Sequence, residues 1–273
     1  MTEGARLDRP QAAFLDHVYV VVDAGTAEEI ERSEFLRTLG RFEVETVVAD
    51  GETWTGRYLM GRRTYVELFG PDDVESSDEG GVVGIGLSTR DRGELAIIAR
   101  RMKQAGVDAE IGRRTRDKDD AHLPWFDHLS RMGSPQALSL WVMEYLADPT
   151  DLERRESTYL KWTEQVQDDG GKRPGPLLGD LHAVELGTTA DDIAMVEPLL
   201  NAVGFTVTRT RDTLLASDAT TTITLHRTTR DDAGLQRLEF TLTSPIAEAQ
   251  VEIIGSSRCI IGPGDRGTWE FSG

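Results

Sequence analysis

The sequence predicts an α+β protein made of tandem units, in which one strand and one helix are followed by three strands. Three observations lead to this prediction. Many short runs alternate apolar and polar residues with the period of a strand, helix-like segments between them carry start and end signals, and the whole order repeats along the 273 residues. The chain is long enough for two compact domains.

The first unit shows this order most clearly. Residues 15–23 alternate as a strand, and residues 26–40 begin with a threonine N-cap, carry acids in the first turn and end at a glycine, as a helix does. The runs 42–50, 52–60 and 62–70 then have the composition of three strands, separated by an Asp-Gly turn and a single glycine. The predicted unit is therefore β-α-β-β-β.

The order returns in the second unit. A strand at 81–89, a helix at 90–106 and a strand at 107–115 are followed by a last strand at 137–146. Residues 113–137 interrupt the pattern, and we expect them to form an irregular insert that acts as a lid or a substrate wall.

A third unit begins with the run 179–210, which contains a strand and a helix starting after a threonine, and a fourth begins with the strand-like run 235–245. No helix follows this last run, so the fourth unit is predicted to be truncated. We therefore expect two domains, residues 13–147 and residues 178–273, joined by a connecting helix and a Gly/Pro-rich linker at 148–177. The charges of the connecting helix are expected to form a solvated face.

Histidines occupy matching places in two of the units. His17 precedes the helix-ending Gly40 by 23 positions, and His182 precedes Gly204 by 22. The same step back from Gly106 reaches Gly84, so the second unit lacks the histidine.

The repeat, together with the segments "DHVYVVVD", "TYVELFGP" and "WVMEYL", resembles the vicinal oxygen chelate superfamily, which includes glyoxalase I, bleomycin-resistance proteins and extradiol dioxygenases. The resemblance covers about residues 13–271. It implies that paired units curl into glyoxalase-like, half-open barrels of eight strands, with a degenerate second half. It also implies a metal ion on the concave face, bound by residues of the first and last strand of each unit.

The resemblance implies that His17, Glu67 and Glu144 are the metal ligands, because they stand on those strands; Gly84, at the fourth position, cannot coordinate an ion. One imidazole and two carboxylates suit a divalent ion such as Fe²⁺, Mn²⁺, Ni²⁺, Co²⁺ or Zn²⁺. A metal-free pocket, in which the acids pair with arginine or hydrogen-bond donors, is the alternative. In the second half, His182 is expected to be a core or rim histidine.

The insert and the first unit supply further candidates. His122 and His128 of the insert are candidate general bases, although packing of this segment over the barrel rim is an equally good interpretation. Five side chains are candidates for lining a substrate pocket, although aromatic residues in strands are usually core. These are Trp54, Tyr58, Arg62, Tyr65 and Trp125.

Composition narrows the partners. The net charge of −18 argues against nucleic acid and against an anionic membrane surface, and it mildly favours neutral or cationic ligands. The single cysteine, Cys259, allows no internal disulfide and is expected to be buried, which suits a reducing compartment. The N-terminus lacks the apolar core of a signal peptide and no apolar run is long enough to span a membrane, so the expected location is the cytoplasm. A homodimer is possible.

Two functions follow as expectations. The first is a metal-dependent enzyme that acts on a small oxygen-bearing metabolite by isomerase, lyase or oxygenase chemistry. The second is a metal-free protein that binds or sequesters a small molecule. Bound metal in the purified protein would distinguish the two.

Overall fold

The computed structural model describes residues 10–71, 73, 82–118, 121–131, 137–147, 150–168 and 176–272. Within these residues the chain forms an α+β fold with sixteen strands and five helices, and the predicted fold class is confirmed. No helix in this described part is both long enough and apolar enough to cross a membrane.

The first half consists of two βαβββ units. Its elements are β1 (Phe14–Val21), α1 (Ala24–Arg32), α2 (Glu34–Leu39), β2 (Arg41–Ala49), β3 (Glu52–Met60), β4 (Tyr65–Phe69), β5 (Val83–Ser88), α3 (Glu94–Gln104), β6 (Ala109–Lys118), β7 (Ala121–Arg131) and β8 (Leu138–Tyr145).

The first helix differs from the prediction at its start and in its middle. Its N-cap is Asp23, whose carboxylate accepts a hydrogen bond from the Thr26 backbone N–H at 2.9 Å. The helix also breaks at Ser33, whose hydroxyl caps the short α2 by accepting from the Leu36 N–H. The N-cap therefore lies three residues before Thr26, the predicted one.

The prediction of an irregular insert at 113–137 is wrong, because most of its described residues belong to strands. Residues 121–131 form β7, which pairs with β6 on one side and with β8 on the other. Exposed residues in its first half interrupt the alternation that marks a strand, which hid this element in the sequence. The second unit is therefore as regular as the first. Residues 119–120 and 132–136 of the predicted insert lie outside the described residues.

The eight strands of the first half form a closed barrel in the order β1-β4-β3-β2-β6-β7-β8-β5. Two parallel pairs, β1 with β4 and β5 with β8, are joined by the antiparallel pairing of β1 with β5. Opposite this centre, the antiparallel pairing of β2 with β6 closes the barrel, where Ala49 pairs with Arg116. The barrel therefore goes beyond the half-open shape that the resemblance implies.

The second half starts with a long helix and ends in an open sheet. Its elements are α4 (Asp151–Asp168), β9 (Leu178–Thr188), α5 (Ala190–Val203), β10 (Thr206–Arg209), β11 (Thr213–Ser217), β12 (Thr222–Arg227), β13 (Gly234–Ile246), β14 (Gln250–Ile254), β15 (Ser257–Ile261) and β16 (Gly264–Phe271). The strand order is β10-β11-β12-β9-β13-β16-β15-β14. A direct connection from β13 to β14 replaces the helix of a complete unit, as predicted for the fourth one. Residues 169–175 of the predicted linker lie outside the described residues.

Backbone contacts hold the two halves together. Asp180 of β9 accepts hydrogen bonds from the backbone N–H groups of Arg63 and Thr64, which lie in the turn before β4. At the other end of the sheet, Ser256 contacts the hydroxyl of Thr26 on α1. The prediction that Cys259 is buried is confirmed; burial raises the pKa of its thiol to about 12.

Candidate functional site

A cavity of about 720 Å³ lies inside the closed barrel. Its wall consists of inward-facing side chains of the barrel strands, and the first turns of α4 contribute the rest. Nine aromatic side chains of the described residues line it: Tyr19, Trp54, Tyr58, Tyr65, Phe69, Trp125, Phe126, Trp141 and Tyr145. Drug-sized ligand pockets occupy roughly 300–1,000 Å³, so the cavity is large enough for an organic ligand.

Glycines on β5 make room for the rings of β1. A β-carbon placed on Gly86 would lie 2.3 Å from Cε1 of His17, and one placed on Gly84 would lie 2.0 Å from Cε1 of Tyr19. The rings of the first unit therefore lie over the backbone of the second unit. Gly84 stands where the resemblance implies a metal ligand, and the ring of Tyr19 packs against its backbone instead.

His17 is held by the residue before it. Its Nδ1 lies 2.9 Å from Oδ1 of Asp16, and the side chain of Asp16 is completely buried. The register between β1 and β5 shifts between Leu15 and His17, so Asp16 lies at a β-bulge. The His17 ring stacks on Tyr65, with ring centroids 4.6 Å apart. Because an ionised Asp16 accepts from Nδ1–H, the neutral imidazole carries its lone pair on Nε2.

Two further donors fix the Asp16 carboxylate. Nη2 of Arg155, on α4, lies 2.5 Å from Oδ2, and the hydroxyl of Tyr145 donates to Oδ1 at 3.3 Å. Burial alone would raise the pKa of Asp16, but the positive charge of Arg155 and the hydrogen bond from His17 outweigh it and lower that pKa to about 2. The carboxylate is therefore ionised across the physiological range.

Arg155 corrects the expectation that the charges of the connecting helix form a solvated face. Its side chain is only 12% exposed, and its guanidinium lies 4.8 Å from the ring centroid of Tyr65. The helix closes part of the cavity wall through Arg155, Arg154, Asp151 and Thr158. No local pattern could predict this contact, because the buried partner of Arg155 lies 139 positions earlier in the chain.

Glu67 is the second chemically active group in the wall. It stands on β4, opposite Tyr19 of the adjacent β1, and its side chain faces the cavity that His17 also lines. Tyr58 and Trp54 act on its carboxylate as hydrogen-bonding groups that lower its pKa. Burial raises the pKa of Glu67, and the hydrogen bonds and the nearby His17 offset this only in part. Glu67 therefore keeps its proton to a higher pH than an exposed glutamate.

Glu144, the third predicted ligand, does not lie with the other two. Its carboxylate accepts hydrogen bonds from the backbone N–H groups of Gly93 at 2.9 Å and Leu95 at 3.0 Å, at the start of α3. Its position on β8 is flanked by Met143 and Tyr145, which line the cavity. Glu144 therefore faces away from the cavity and satisfies the N-terminus of a helix. Its prediction as a metal ligand is wrong.

The two candidate catalytic histidines have different positions. His122 lies at the tip of the β6–β7 hairpin, where its side chain is 82% exposed and contacts Asp117, so the prediction of a catalytic role is wrong. His128 lines the cavity. Burial lowers the pKa of His128, and the charge of Arg114 lowers it further, so this imidazole is largely neutral near neutral pH.

Four of the five predicted pocket residues, Trp54, Tyr58, Tyr65 and Trp125, lie in the cavity wall. The exception is Arg62, whose Nη2 lies 2.6 Å from a carboxylate oxygen of Glu156 outside the barrel. The alternation along β3 does not extend into the turn that carries Arg62, which explains the wrong prediction.

The donor set does not fit a first-row divalent ion. Catalytic sites for such ions have three protein ligands, and of the three predicted ligands only His17 and Glu67 line the cavity. The described residues contain no group of three or more His, Cys, Asp or Glu side chains arranged to hold a metal.

Residues 15–271 match the model of a family of unknown function, DUF5829, and the chain belongs to this family. No curated protein matches it.

Solved structures with a similar fold include a hypothetical protein from Staphylococcus aureus, at 9% identity and a TM-score of 0.54, over 89% of this chain and 96% of that one. They also include a Mn(II)-bound glyoxalase from Novosphingobium aromaticivorans, at 12% identity and a TM-score of 0.47, over 94% and 81%. An extradiol ring-cleaving dioxygenase from B. fuscum is similar at 15% identity and a TM-score of 0.39, over 81% of this chain and 54% of that one. At these identities the likeness concerns the fold.

Proposed function

We propose that this protein is an enzyme that moves a proton on a small oxygen-bearing molecule, using the side chains of the first barrel and no metal ion. One observation carries the proposal. A buried carboxylate orients His17 at the wall of an aromatic cavity, which also contains a carboxylic acid with a raised pKa. Buried, mutually oriented titratable groups in a large pocket are a mark of acid–base sites.

His17 is the proposed base. The hydrogen bond from Nδ1 to Asp16 leaves Nε2 as the acceptor, and the imidazolium formed is stabilised by the adjacent negative charge. In the reaction, Nε2 takes a proton from a carbon next to a carbonyl group. The C–H bond breaks and its electron pair moves onto the carbonyl oxygen as an enolate.

Glu67 is the proposed acid. Its raised pKa keeps it protonated at a higher pH than an exposed glutamate, so it can donate a hydrogen bond or a proton to the developing enolate oxygen. The imidazolium then returns its proton to a carbon atom, at the original or the neighbouring position, and Glu67 recovers its own. The net result is an isomerisation, or an exchange of the carbon-bound hydrogen with solvent.

The metal-dependent form of this function requires a ligand that the barrel does not provide. Glu144 was predicted to supply it, and Glu144 caps α3 instead. No step of the proposed reaction therefore passes through a metal ion.

Hydrogen–deuterium exchange tests the proposal. Small carbonyl-bearing aromatic compounds that bind by calorimetry are incubated in D₂O with EDTA-treated protein, and carbon-bound deuterium is measured by mass spectrometry. We expect exchange by the wild type, a decrease of about 100-fold or more in His17→Gln, and little change in His122→Gln. Exchange that requires added metal, or that survives in His17→Gln, would contradict the proposal.

A metal-free binding protein is the second candidate, and the volume and aromatic wall of the cavity favour it. It predicts tight binding with no exchange in any bound compound.

A further inference from the structure

We infer that the ligand of the first barrel is an uncharged aromatic molecule, because every arginine in the cavity wall is already neutralised by a carboxylate of the chain. This inference rests on the proposed site and specifies the ligand class that the site accepts. It follows from the charges and the surfaces that a ligand would meet.

Across the β2–β6 seam, carboxylates of the first unit neutralise arginines of the second. Nη2 of Arg116 lies 2.5 Å from Oε1 of Glu45, and Arg114 lies 2.6 Å from Glu52 and 3.2 Å from Asp50. A ligand carboxylate or phosphate would have to displace one of these acids from its partner. The seam therefore offers no free positive charge to an anion.

The remaining three arginines of the wall are neutralised in the same way. Arg41 lies 2.6 Å from Glu43, and Arg154 contacts Asp151 in the first turn of α4. Arg155 pairs with the buried Asp16 at 2.5 Å. Among the residues that the structure describes, five arginines and no lysine line the cavity, so the compensation covers all of their permanent positive charges.

The centre of the cavity disfavours a cation as well. Glu67 and His17 line the same wall, and burial disfavours the charged form of Glu67. The acids at the rim are engaged by arginines, so none is left to balance a bound ammonium group. A charged ligand would lose its hydration in the cavity without gaining an oppositely charged partner, and a neutral ligand avoids this loss of free energy.

The surfaces that remain are aromatic, with a few hydrogen-bonding groups. Tyr19 and Trp141 lie 5.9 Å apart between ring centroids, and Tyr65 stacks on His17. The flat rings of the wall can cover both faces of a flat ligand, and the hydroxyl and acid groups of the wall can bond to an oxygen atom of that ligand. These surfaces suit an aromatic molecule that carries a neutral oxygen group.

Three matched probes test the ligand class: naphthol, naphthalenesulfonate and naphthyltrimethylammonium, which share one ring system and carry no charge, a negative charge and a positive charge. Binding is measured by isothermal titration calorimetry at neutral pH and moderate ionic strength. We expect naphthol to bind about tenfold more tightly than either ion. Equal or tighter binding of an ion, or no binding of naphthol, would overturn the inference.

A charge variant tests the cause. Glu45→Gln leaves Arg116 without its carboxylate, so the sulfonate should gain affinity until it binds within about threefold of naphthol. The matched control, Glu28→Gln, removes the same charge from an exposed pair with Arg32 on α1 and should leave the selectivity unchanged. An unchanged selectivity in Glu45→Gln would also overturn the inference.

Binding and chemistry fail separately. Selective binding of naphthol, with no deuterium exchange in any carbonyl-bearing aromatic compound that binds, would support the ligand class and contradict the proposed reaction. Deuterium exchange in a charged carbonyl compound that binds more tightly than naphthol would support the proposed reaction and contradict the ligand class.

Discussion

The two halves of this protein place a histidine at the same point of the repeat and surround it with different structure. In the closed barrel, the His17 side chain is 6% exposed and is held by the buried Asp16. In the open sheet, the side chain of His182 is 25% exposed, and its Nε2 lies 3.8 Å from Glu239. The expectation of a core or rim histidine for His182 agrees with this half-buried place.

The open face of the second sheet is covered by a chain of ion pairs. Glu185 lies 2.8 Å from His226 and 2.7 Å from Arg237, and Arg237 in turn lies 3.3 Å from Glu239. These charges face solvent in part, where ion pairs contribute little to stability. The comparison shows that a repeat histidine becomes part of a site when the barrel closes around it, because closure supplies both the aromatic wall and the burial that shifts pKa values.

The largest difference between the halves should be in the unfolding free energy that is lost when a paired arginine is replaced. Arg155→Met leaves the Asp16 carboxylate buried without its cation, and we expect a loss of about 3–5 kcal/mol of unfolding free energy. Arg237→Met in the open sheet should cost at most about 1 kcal/mol. Urea unfolding measures both. Similar costs at the two positions would contradict the comparison, and the double variant Asp16→Asn/Arg155→Met should recover most of the loss.

Glycine substitutions separate stability from binding. A β-carbon on Gly86 would lie 2.3 Å from the His17 ring, and one on Gly267 would lie 2.2 Å from the Phe240 ring in the second half. We expect each alanine variant to lose about 1–3 kcal/mol of unfolding free energy. Only Gly86→Ala should weaken naphthol binding, as measured by calorimetry; an equal effect of Gly267→Ala would count against the barrel as the binding site.

The stability of the first barrel should respond to the charge on Glu67. A folded-state pKa above the unfolded value of 4.5 means that stability falls as the pH rises above 4.5, until the folded group has also ionised. Glu67→Gln should remove this decrease and be more stable than the wild type at neutral pH. Urea unfolding across the pH range checks it; a variant less stable than the wild type at neutral pH would contradict it. Glu239→Gln, on the partly exposed face, is the control.

The smallest effect is expected at the seam. Glu52 is 60% exposed and pairs with Arg114, so Glu52→Gln should cost about 0.2–1 kcal/mol of unfolding free energy at low salt and less at high salt. Urea unfolding at two salt concentrations measures this. A larger cost would mean that the side-chain pairs, rather than the packed core, hold the barrel closed.

The sequence predicted most of the fold because strand alternation and helix signals are local. It missed β7 because the first half of that strand is exposed and its alternation is weak. It predicted that His17 and Glu67 face the same side of the sheet, and both line the cavity, because the repeat fixes both positions. The corresponding position on β8, Glu144, faces away from the cavity and caps α3 instead.

The residues that complete the site were beyond sequence reasoning. Asp16 looked like an ordinary neighbour of His17, since a regular strand would place the two on opposite faces, and only the bulge brings them together. Arg155 stands in a charged helix whose solvent-facing appearance hides its contact. Gly84, seen only as a position that cannot bind a metal, and Gly86 on the same strand were the available signal that rings from the first unit pack there.

The central claim is that Asp16 holds His17 as a metal-free base, and the imidazole NMR signals of His17 test it most directly. A long-range ¹H–¹⁵N spectrum of labelled protein, assigned with His17→Gln, should show neutral His17 protonated at Nδ1 with an unprotonated Nε2, unchanged by EDTA or by one equivalent of Zn²⁺ or Mn²⁺. A proton on Nε2 of the neutral ring, or a signal that shifts or broadens and saturates at one equivalent of metal, would contradict the account.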